Sequence, residues 1–181
     1  QPQLAEAQLA VARLTDQVRT LSVNLRPQVL DDLGLLPALR WHVDQFRRRT
    51  RVRVSLTTNL ESSEKIPPLA ALTVYRVTQE ALTNVARHSR ATWVQIRLKA
   101  TAAELSLSIT DNGSGFLLER MHENVSTGVS GMRERIHMLD GNFSIQSAPE
   151  SGTRIRCLIP LAPEKSPSLM RPRKVDPGSR S

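Results

Sequence analysis

The chain has 181 residues, of which 39% are hydrophobic and 23% are charged, and this length suits one ordinary domain with short additional segments. It contains no run of about eighteen apolar residues, which argues against a membrane-spanning helix. A single cysteine, Cys157, excludes an internal disulfide and a metal site built from cysteines.

The formal net charge is +8, from 25 basic and 17 acidic residues. The excess is concentrated in an arginine-rich stretch at 47–53 and in residues 163–181, where five basic and two acidic residues leave +3. Such clusters are typical of nucleic-acid binding or simply of a solvated surface. Aromatic residues make up only 3% of the chain, too few for a base-stacking platform, so we favour the solvated surface and expect no nucleic-acid partner.

Apolar residues near the N-terminus recur at alternating spacings of three and four, which predicts a helix with a narrow coiled-coil seam. The helix should end near Arg26, because Pro27 disfavours a helical conformation in the residue before it. A seam this narrow predicts a partner helix from another chain or from an upstream segment; the alternative is a surface helix packed on its own domain. The seam residues are Leu4, Ala7, Val11, Leu14, Val18, Leu21 and Leu25.

Two further helices follow from the same kind of periodicity. Pro37 suits the first turn of a helix, which we predict from Leu36 to Arg48 after a break at Gly34. A longer helix is predicted from Leu69 to His88, with one apolar side and a polar stripe whose residues lie four apart. The stripe consists of Arg76, Glu80, Asn84 and His88.

The rest of the chain alternates between strand and helix patterns. Together they predict an α/β (α+β) fold with one layer of helices over one sheet, and antiparallel hairpins at both ends of the sheet. The last predicted helix runs from Met132 to Leu139, and the tail at 163–181, with four prolines, is predicted to be disordered. The predicted strands lie around residues 52–56, 94–98, 105–109, 143–145 and 155–159.

Three glycine-containing segments lie beside these elements. Asp111 to Phe116 follows a predicted strand, where glycines allow a ligand close to the backbone and a carboxylate accepts a hydrogen bond from a ligand amine; a hairpin turn would have the same pattern. Thr127 to Arg133 precedes a predicted helix, whose N-terminal amides suit a phosphate, and a glycine-rich connector is the alternative. Ser151 to Thr153 by itself predicts a turn.

Taken in order with the polar stripe, these segments resemble the motifs of the GHKL family of gyrase, heat-shock chaperone, histidine kinase and mismatch-repair ATPases. The residues that carry the resemblance are Tyr75 to His88, Asp111 to Phe116 and Gly128 to Arg135. It is strongest to the ATP-binding catalytic domain of sensor histidine kinases, in the subgroup that signals to NarL-type response regulators. The resemblance implies the Bergerat fold, a two-layer sandwich of helices on a mixed, mainly antiparallel sheet, preceded here by an N-terminal helix.

The resemblance also implies a role for each matching residue. Asn84 matches the Mg²⁺-coordinating asparagine, and Glu80, one turn earlier, matches the acidic residue of the same box and is a second candidate Mg²⁺ ligand. Both are the implied catalytic residues. Asp111 matches the carboxylate that accepts from the adenine amino group, and Thr153 matches a hydroxyl that helps to hold a water there. The other implied ATP-binding residues are the basic pair Arg87 and His88, Gly113 and Gly115 of the first glycine box, and Gly128, Val129, Gly131 and Met132 of the second.

The implied organisation has three parts: the second helix of a dimerisation hairpin at 1–26, the ATP-binding catalytic domain at 27–162 with a short lid at 117–127, and the tail at 163–181. ATP and Mg²⁺ are the implied cofactors. The implied reaction transfers the γ-phosphate to a histidine on a dimerisation domain, and from there to a response regulator of the NarL type.

The position of the acceptor histidine departs from the family pattern. None of the four histidines, His42, His88, His122 and His137, lies in a sequence like the acceptor helix. We therefore expect the acceptor upstream of Gln1. The resemblance further implies a homodimer through the dimerisation helices, a cytoplasmic location, and membrane attachment only through upstream regions. Two other interpretations stay open: another GHKL ATP-binding protein, such as an anti-sigma serine kinase or a nucleotide-gated binding module, and a basic nucleic-acid-binding domain without an ATP site.

Overall fold

A computed structural model describes residues 28–61, 66–117 and 127–161. Its helices form one layer, its five strands form a second, and the hydrophobic core lies between the two. The helical segments are α1 (Gln28–Leu33), α2 (Leu35–Arg49), α3 (Pro68–Asn84), a π-helical turn (Val85–Ser89) and α4 (Thr127–His137).

The sheet is mixed and has the spatial order β1-β2-β3-β5-β4. The edge strand β1 is parallel to β2, and every other neighbouring pair is antiparallel. In the register of β3 with β5, Asp111 lies opposite Thr153, so two of the glycine-containing segments meet at one end of the sheet. The strands are β1 (Arg53–Thr58), β2 (Trp93–Ala100), β3 (Glu104–Asp111), β4 (Asn142–Ser147) and β5 (Thr153–Pro160).

The helices cover one face of this sheet. The helix α2 contacts β1, α3 contacts β3, and α4 contacts β4 and β5. Alternate residues of each strand, such as Ile96 and Leu107, point into the core, where they meet Val74, Val77 and Leu82 of α3. Each large apolar side chain buried in this way contributes roughly 1.5–3 kcal/mol relative to exposure, so packing rather than local propensity holds the elements together.

The predicted two-layer α+β sandwich on a mixed, mainly antiparallel sheet is confirmed. The helix predicted from Leu36 to Arg48 is confirmed, one residue longer at each end. The helix predicted from Leu69 to His88 is regular only as far as Asn84 and then widens into the π-helical turn. The predicted hairpin at the β1 edge is wrong, because β1 runs parallel to its neighbour and is joined to it through α3.

The predicted start of the last helix near Met132 is wrong, because α4 begins at Thr127. Glycine lowers helix propensity, so the two glycines at 128 and 131 favoured a connector in the sequence. In the structure Val129, Met132 and Ile136 are all buried on one side of α4, and this packing outweighs the propensity of the glycines.

The predicted N-terminal helix, most of the predicted lid and the predicted tail lie outside the described residues, and the boundaries of the three predicted parts stay predictions. Among the helices of residues 28–61, 66–117 and 127–161, none combines the length and the hydropathy of a membrane span.

Candidate functional site

A cavity of about 430 Å³ opens where the end of α3, the π-helical turn and the first turns of α4 face the ends of β3 and β5. This volume is within the range of small-ligand sites. Its walls are mostly apolar, and a few polar groups converge on them. The lining residues are Ala81, Asn84, Val85, His88, Ser89, Ile109, Asp111, Gly115, Phe116, Val129, Thr153 and Ile155.

Asp111 supplies the buried carboxylate of this cavity. It is the last residue of β3 and only 7% exposed. Its Oδ1 accepts a hydrogen bond from the Gly113 amide at 2.8 Å, and the Thr153 backbone supplies another. Burial raises the pKa of Asp111, and these backbone hydrogen bonds oppose that shift by favouring the ionised form. Since a carboxylate has about four acceptor positions, some remain for a donor on a ligand.

The loop that follows Asp111 is held on both sides. Towards the π-helical turn, the Ser114 amide donates to the Ser89 carbonyl at 2.7 Å. Towards the β4–β5 turn, the Phe116 amide donates to Ser147 Oγ at 3.0 Å. A Cβ atom at Gly113 would overlap the Ser89 carbonyl, and Gly115 has a φ of +59°, so neither position accommodates another residue without rearrangement.

Asn112 of the same loop points away from the cavity. Its Oδ1 accepts hydrogen bonds from the amides of Thr92 and Trp93, each at 2.9 Å. The side chain therefore fastens the loop to the start of β2, which is a structural role.

Asn84, the last residue of α3, and His88 of the π-helical turn both lie at the cavity wall. Asn84 is half-buried, and its side chain makes no capping hydrogen bond to the turn, so its amide oxygen is available to a ligand. Arg87 is exposed and does not line the cavity, so of the predicted basic pair only His88 does. Single π-helical turns are frequent at functional sites, because the wider turn redirects side chains that a regular helix would align.

Thr153 lies at the opposite wall. Its side-chain oxygen is 3.0 Å from Ser147 Oγ, and the same Ser147 hydroxyl meets the Phe116 amide. The predicted partners Asp111 and Thr153 are therefore brought together at one end of the cavity, as their register in the sheet requires.

The N-terminus of α4 faces Glu80. A Cβ atom at Gly128 would overlap Glu80 Oε1, so this carboxylate rests directly on the first turn of α4. Glu80 itself is half-buried and does not line the cavity, but Val129, the next residue after Gly128, does. The first four amides of a helix lack intrahelical partners and attract anions, so this end of the cavity suits a phosphate chain.

Two residues of the predicted second glycine box lie elsewhere. Gly131 is the fifth residue of α4, where the backbone amide already belongs to the helical hydrogen-bond ladder. Met132 is fully buried in the core and does not line the cavity. Gly128 and Val129 are the members of that box that the structure places beside the cavity.

The residue set fits a magnesium ion that keeps most of its own water. Within the described ranges, no three His, Cys, Asp or Glu side chains converge on one point. Magnesium takes oxygen ligands and is commonly held by one or two side chains together with substrate phosphates. The amide oxygen of Asn84 and the carboxylate of Glu80, one helical turn apart on α3, are oxygen donors of this kind.

Sequence reasoning missed the apolar walls of the cavity and Ser89. Ala81 and Val85 lie one turn apart on the helix that also carries Asn84, and Ile109 lies two residues before Asp111 on the same side of β3. Their spacing along the chain relative to Asn84 and Asp111 could have identified them as wall residues from the sequence. Phe116 belongs to the predicted segment from Asp111, but its place in the cavity wall depends on how the loop docks.

In chemical terms the cavity has apolar walls for a flat ring, a buried carboxylate at one end for a ring amine, and a helix N-terminus with a nearby carboxylate and amide at the other. A base, a sugar and a phosphate chain follow the same order in a nucleotide. The cavity therefore has the dimensions and polar groups of a small-ligand site, and the nucleotide-binding roles of its residues stay predictions.

Comparisons with known proteins agree with this geometry. Residues 70–163, just over half of the chain, match the model of the histidine kinase-, DNA gyrase B-, and HSP90-like ATPase family. The chain is 34% identical over 149 residues to the signal transduction histidine-protein kinase/phosphatase DegS of Brevibacillus brevis, covering 82% of this chain and 38% of DegS. It is 34% identical over 151 residues to the oxygen sensor histidine kinase NreB of Staphylococcus carnosus (strain TM300), covering 83% of this chain and 43% of NreB. The chain thus spans less than half the length of these curated relatives.

Solved structures show the same fold. The blue-light activated histidine kinase of Erythrobacter litoralis EL346 superposes with a TM-score of 0.57 at 20% identity, over 68% of this chain and 40% of that one. The separate structure of its histidine kinase domain superposes with a TM-score of 0.56 at 16% identity, over 74% of this chain and 69% of that one. The resemblance predicted from the motifs is confirmed, and the chain belongs to the histidine kinase-, DNA gyrase B-, and HSP90-like ATPase family.

Proposed function

We propose that this chain is the ATP-binding catalytic domain of a sensor histidine kinase that transfers the γ-phosphate of ATP to a histidine on a dimerisation domain. The observation that supports this most directly is that Asn84 and Asp111, from separate elements, line one cavity whose edge is the first turn of α4.

In this proposal Asp111 selects the base. Its carboxylate accepts a hydrogen bond from the adenine amino group, and the Thr153 hydroxyl helps to hold a water beside it. Val85, Ile109 and Ile155 form apolar walls against the ring. Burial strengthens the recognition, because a buried carboxylate that faces a carbonyl instead of an amine stays unsatisfied.

The phosphates extend towards Asn84, His88 and the open amides at the start of α4. Asn84, with Glu80 as a second ligand, would hold Mg²⁺, which neutralises phosphate charge when it is bound. Phosphoryl transfer depends mainly on positioning and charge neutralisation, and these residues supply both. Glu80, held against Gly128, orients or deprotonates the attacking group, directly or through water. Arg87, exposed beside His88, contributes positive charge at the mouth of the site.

We further propose the finer assignments implied by the resemblance. The acceptor histidine belongs to a dimerisation domain, the parent protein is a homodimer, and the phosphoryl group passes to a response regulator of the NarL type. Because the cytoplasm supplies ATP, we propose that the domain lies there.

Calorimetric titration of the purified chain with ATP, with and without Mg²⁺, tests the binding step. We expect saturable binding that Mg²⁺ strengthens. Labelled γ-phosphate should then appear on a dimerisation domain added separately, and replacement of its acceptor histidine should abolish the label. Absence of ATP binding in a folded sample would refute the proposal.

A further inference from the structure

The face of the sheet opposite the described helices is strongly basic. On every strand, the residues that alternate with the core positions point to this outer face. Its charged members, by this alternation, are five cations and one carboxylate, which leaves a net charge of +4. The cations are Arg53, Arg97, Lys99, Arg154 and Arg156, and the carboxylate is Glu104 at the first position of β3.

The cations are arranged in register with hydroxyl groups. Arg97 of β2, Ser108 of β3 and Arg156 of β5 lie opposite one another on adjacent strands, so the two guanidinium groups flank a hydroxyl. Two strand spacings separate the two arginine backbones, roughly 10 Å. Lys99 lies two residues from Arg97, and all three cations line a groove of about 460 Å³ together with Ser106 and Ser108.

These positive charges are not neutralised by ion pairs in the described part of the chain. None of the five takes part in an ion pair there. Arg154 donates to the Thr110 hydroxyl at 3.3 Å, which leaves its charge unneutralised. Unpaired cations grouped on one face attract an anionic surface.

Two large apolar side chains share this face. Trp93 at the start of β2 is 37% exposed and Leu158 of β5 is 44% exposed, and both alternate with core residues as the cations do. Tryptophan is enriched where proteins meet the membrane interface, because its ring is apolar and its N–H is polar.

We propose that the outer face of the sheet docks on a membrane leaflet containing anionic lipid headgroups, a contact additional to the attachment through upstream regions that the sequence led us to expect. The cations contact lipid phosphates, the flanking hydroxyls donate hydrogen bonds to them, and Trp93 and Leu158 enter the headgroup region. Charge attraction combined with shallow apolar insertion is the usual basis of peripheral membrane binding. A nucleic acid would need stacking positions along its path, and this face has a single exposed aromatic side chain among the described residues, at its edge.

The first test measures sedimentation of the full 181-residue chain with vesicles. The chain should bind vesicles of equal parts phosphatidylglycerol and phosphatidylcholine, and not vesicles of phosphatidylcholine alone. The double variant Arg97→Gln/Arg156→Gln should bind the mixed vesicles about 30-fold more weakly, since each basic residue near an anionic surface contributes roughly a factor of five. Added salt should weaken wild-type binding.

The matched control is Arg40→Gln/Arg48→Gln, which removes two exposed arginines from α2 on the helix layer. Both double variants lower the net charge from +8 to +6 and keep the basic residues at 163–181. The control should bind mixed vesicles nearly as wild type does. An equal loss in both variants would show attraction by net charge alone and would overturn the proposal, as would absence of wild-type binding. Binding to duplex DNA or polyglutamate that needs Arg97 and Arg156, without vesicle binding, would also overturn it.

Fluorescence provides an independent readout, because the chain has only two tryptophans, Trp41 and Trp93. In Trp41→Phe the remaining Trp93 should shift its emission to the blue on addition of mixed vesicles. In Trp93→Phe the remaining Trp41, on the helix layer and 50% exposed, should not shift. Thermal unfolding checks that each variant is folded. A shift of Trp41 without one of Trp93 would place the helix layer on the membrane and refute the assignment.

Discussion

Replacement of Asp111 by asparagine separates recognition of the base from stability of the fold. Asparagine keeps the shape of the side chain and an oxygen that can still accept from the Gly113 amide. The group that faces the ligand then becomes an amide N–H₂, a donor. Adenine presents an amino donor at this position, whereas guanine presents a carbonyl acceptor.

The expected loss follows from the chemistry of that one contact. A hydrogen bond to a charged group contributes about 1.5 to 3 kcal/mol, so ATP affinity should fall roughly 10- to 150-fold. Affinity for GTP should stay constant or rise, because the new amide can donate to the guanine carbonyl. The ratio of ATP affinity to GTP affinity therefore falls by at least as large a factor as ATP affinity alone.

The fold of Asp111→Asn should not be destabilised at neutral pH, although its ATP affinity falls, because burial raises the pKa of Asp111. When a carboxyl has a higher pKa in the folded state than in the unfolded state, its protonation stabilises the folded state. This contribution to the free energy of unfolding is fully present below the unfolded-state pKa, and it is lost as the pH rises through the folded-state pKa. Above that range the ionised group remains buried at a cost, which Asp111→Asn removes. At neutral pH the variant should unfold at the same temperature as wild type or a higher one, and its advantage should disappear in acid.

Calorimetry with both nucleotides and thermal unfolding across a pH series test this reasoning together. Lowering the pH through the Asp111 pKa should also lower the ratio of wild-type to variant ATP affinity, and this ratio cancels protonation of the phosphates. Equal ATP affinity in wild type and variant, in folded samples, would refute the assignment of Asp111 to the base. A variant that binds poorly but is also strongly destabilised would refute the separation of recognition from stability.

Three further predictions concern the phosphate end of the site and the tail. Asn84→Ala should lower ATP affinity by at least about tenfold when Mg²⁺ is present, and it should leave the affinity unchanged when EDTA removes the metal. An equal loss of affinity under the two conditions would argue against Asn84 as a metal ligand. Gly128→Ala should displace the Glu80 carboxylate and reduce phosphotransfer while the helix keeps or gains stability, as unfolding and label transfer can show together. Deletion of residues 163–181 should leave ATP affinity unchanged in calorimetry, and a clear loss would place the tail in the site.

The sequence by itself determined the sheet faces, the apolar side of α3 and the segments that carry the site. These features are local, because the period of the apolar residues reports which side of a strand or helix is buried. Asp111 at the end of its strand and Asn84 one turn after Glu80 could be placed in this way before any contact was known.

Only the tertiary structure decided which of these residues meet. Met132 and Gly131 belong to the same motif as Gly128, yet α4 turns Met132 into the core and incorporates the Gly131 amide into its ladder. The π-helical turn and the docking of Phe116 depend on contacts between segments far apart in the chain. Such contacts leave no periodic trace in the sequence, since their energy comes from packing and hydrogen bonds formed only after the chain has folded.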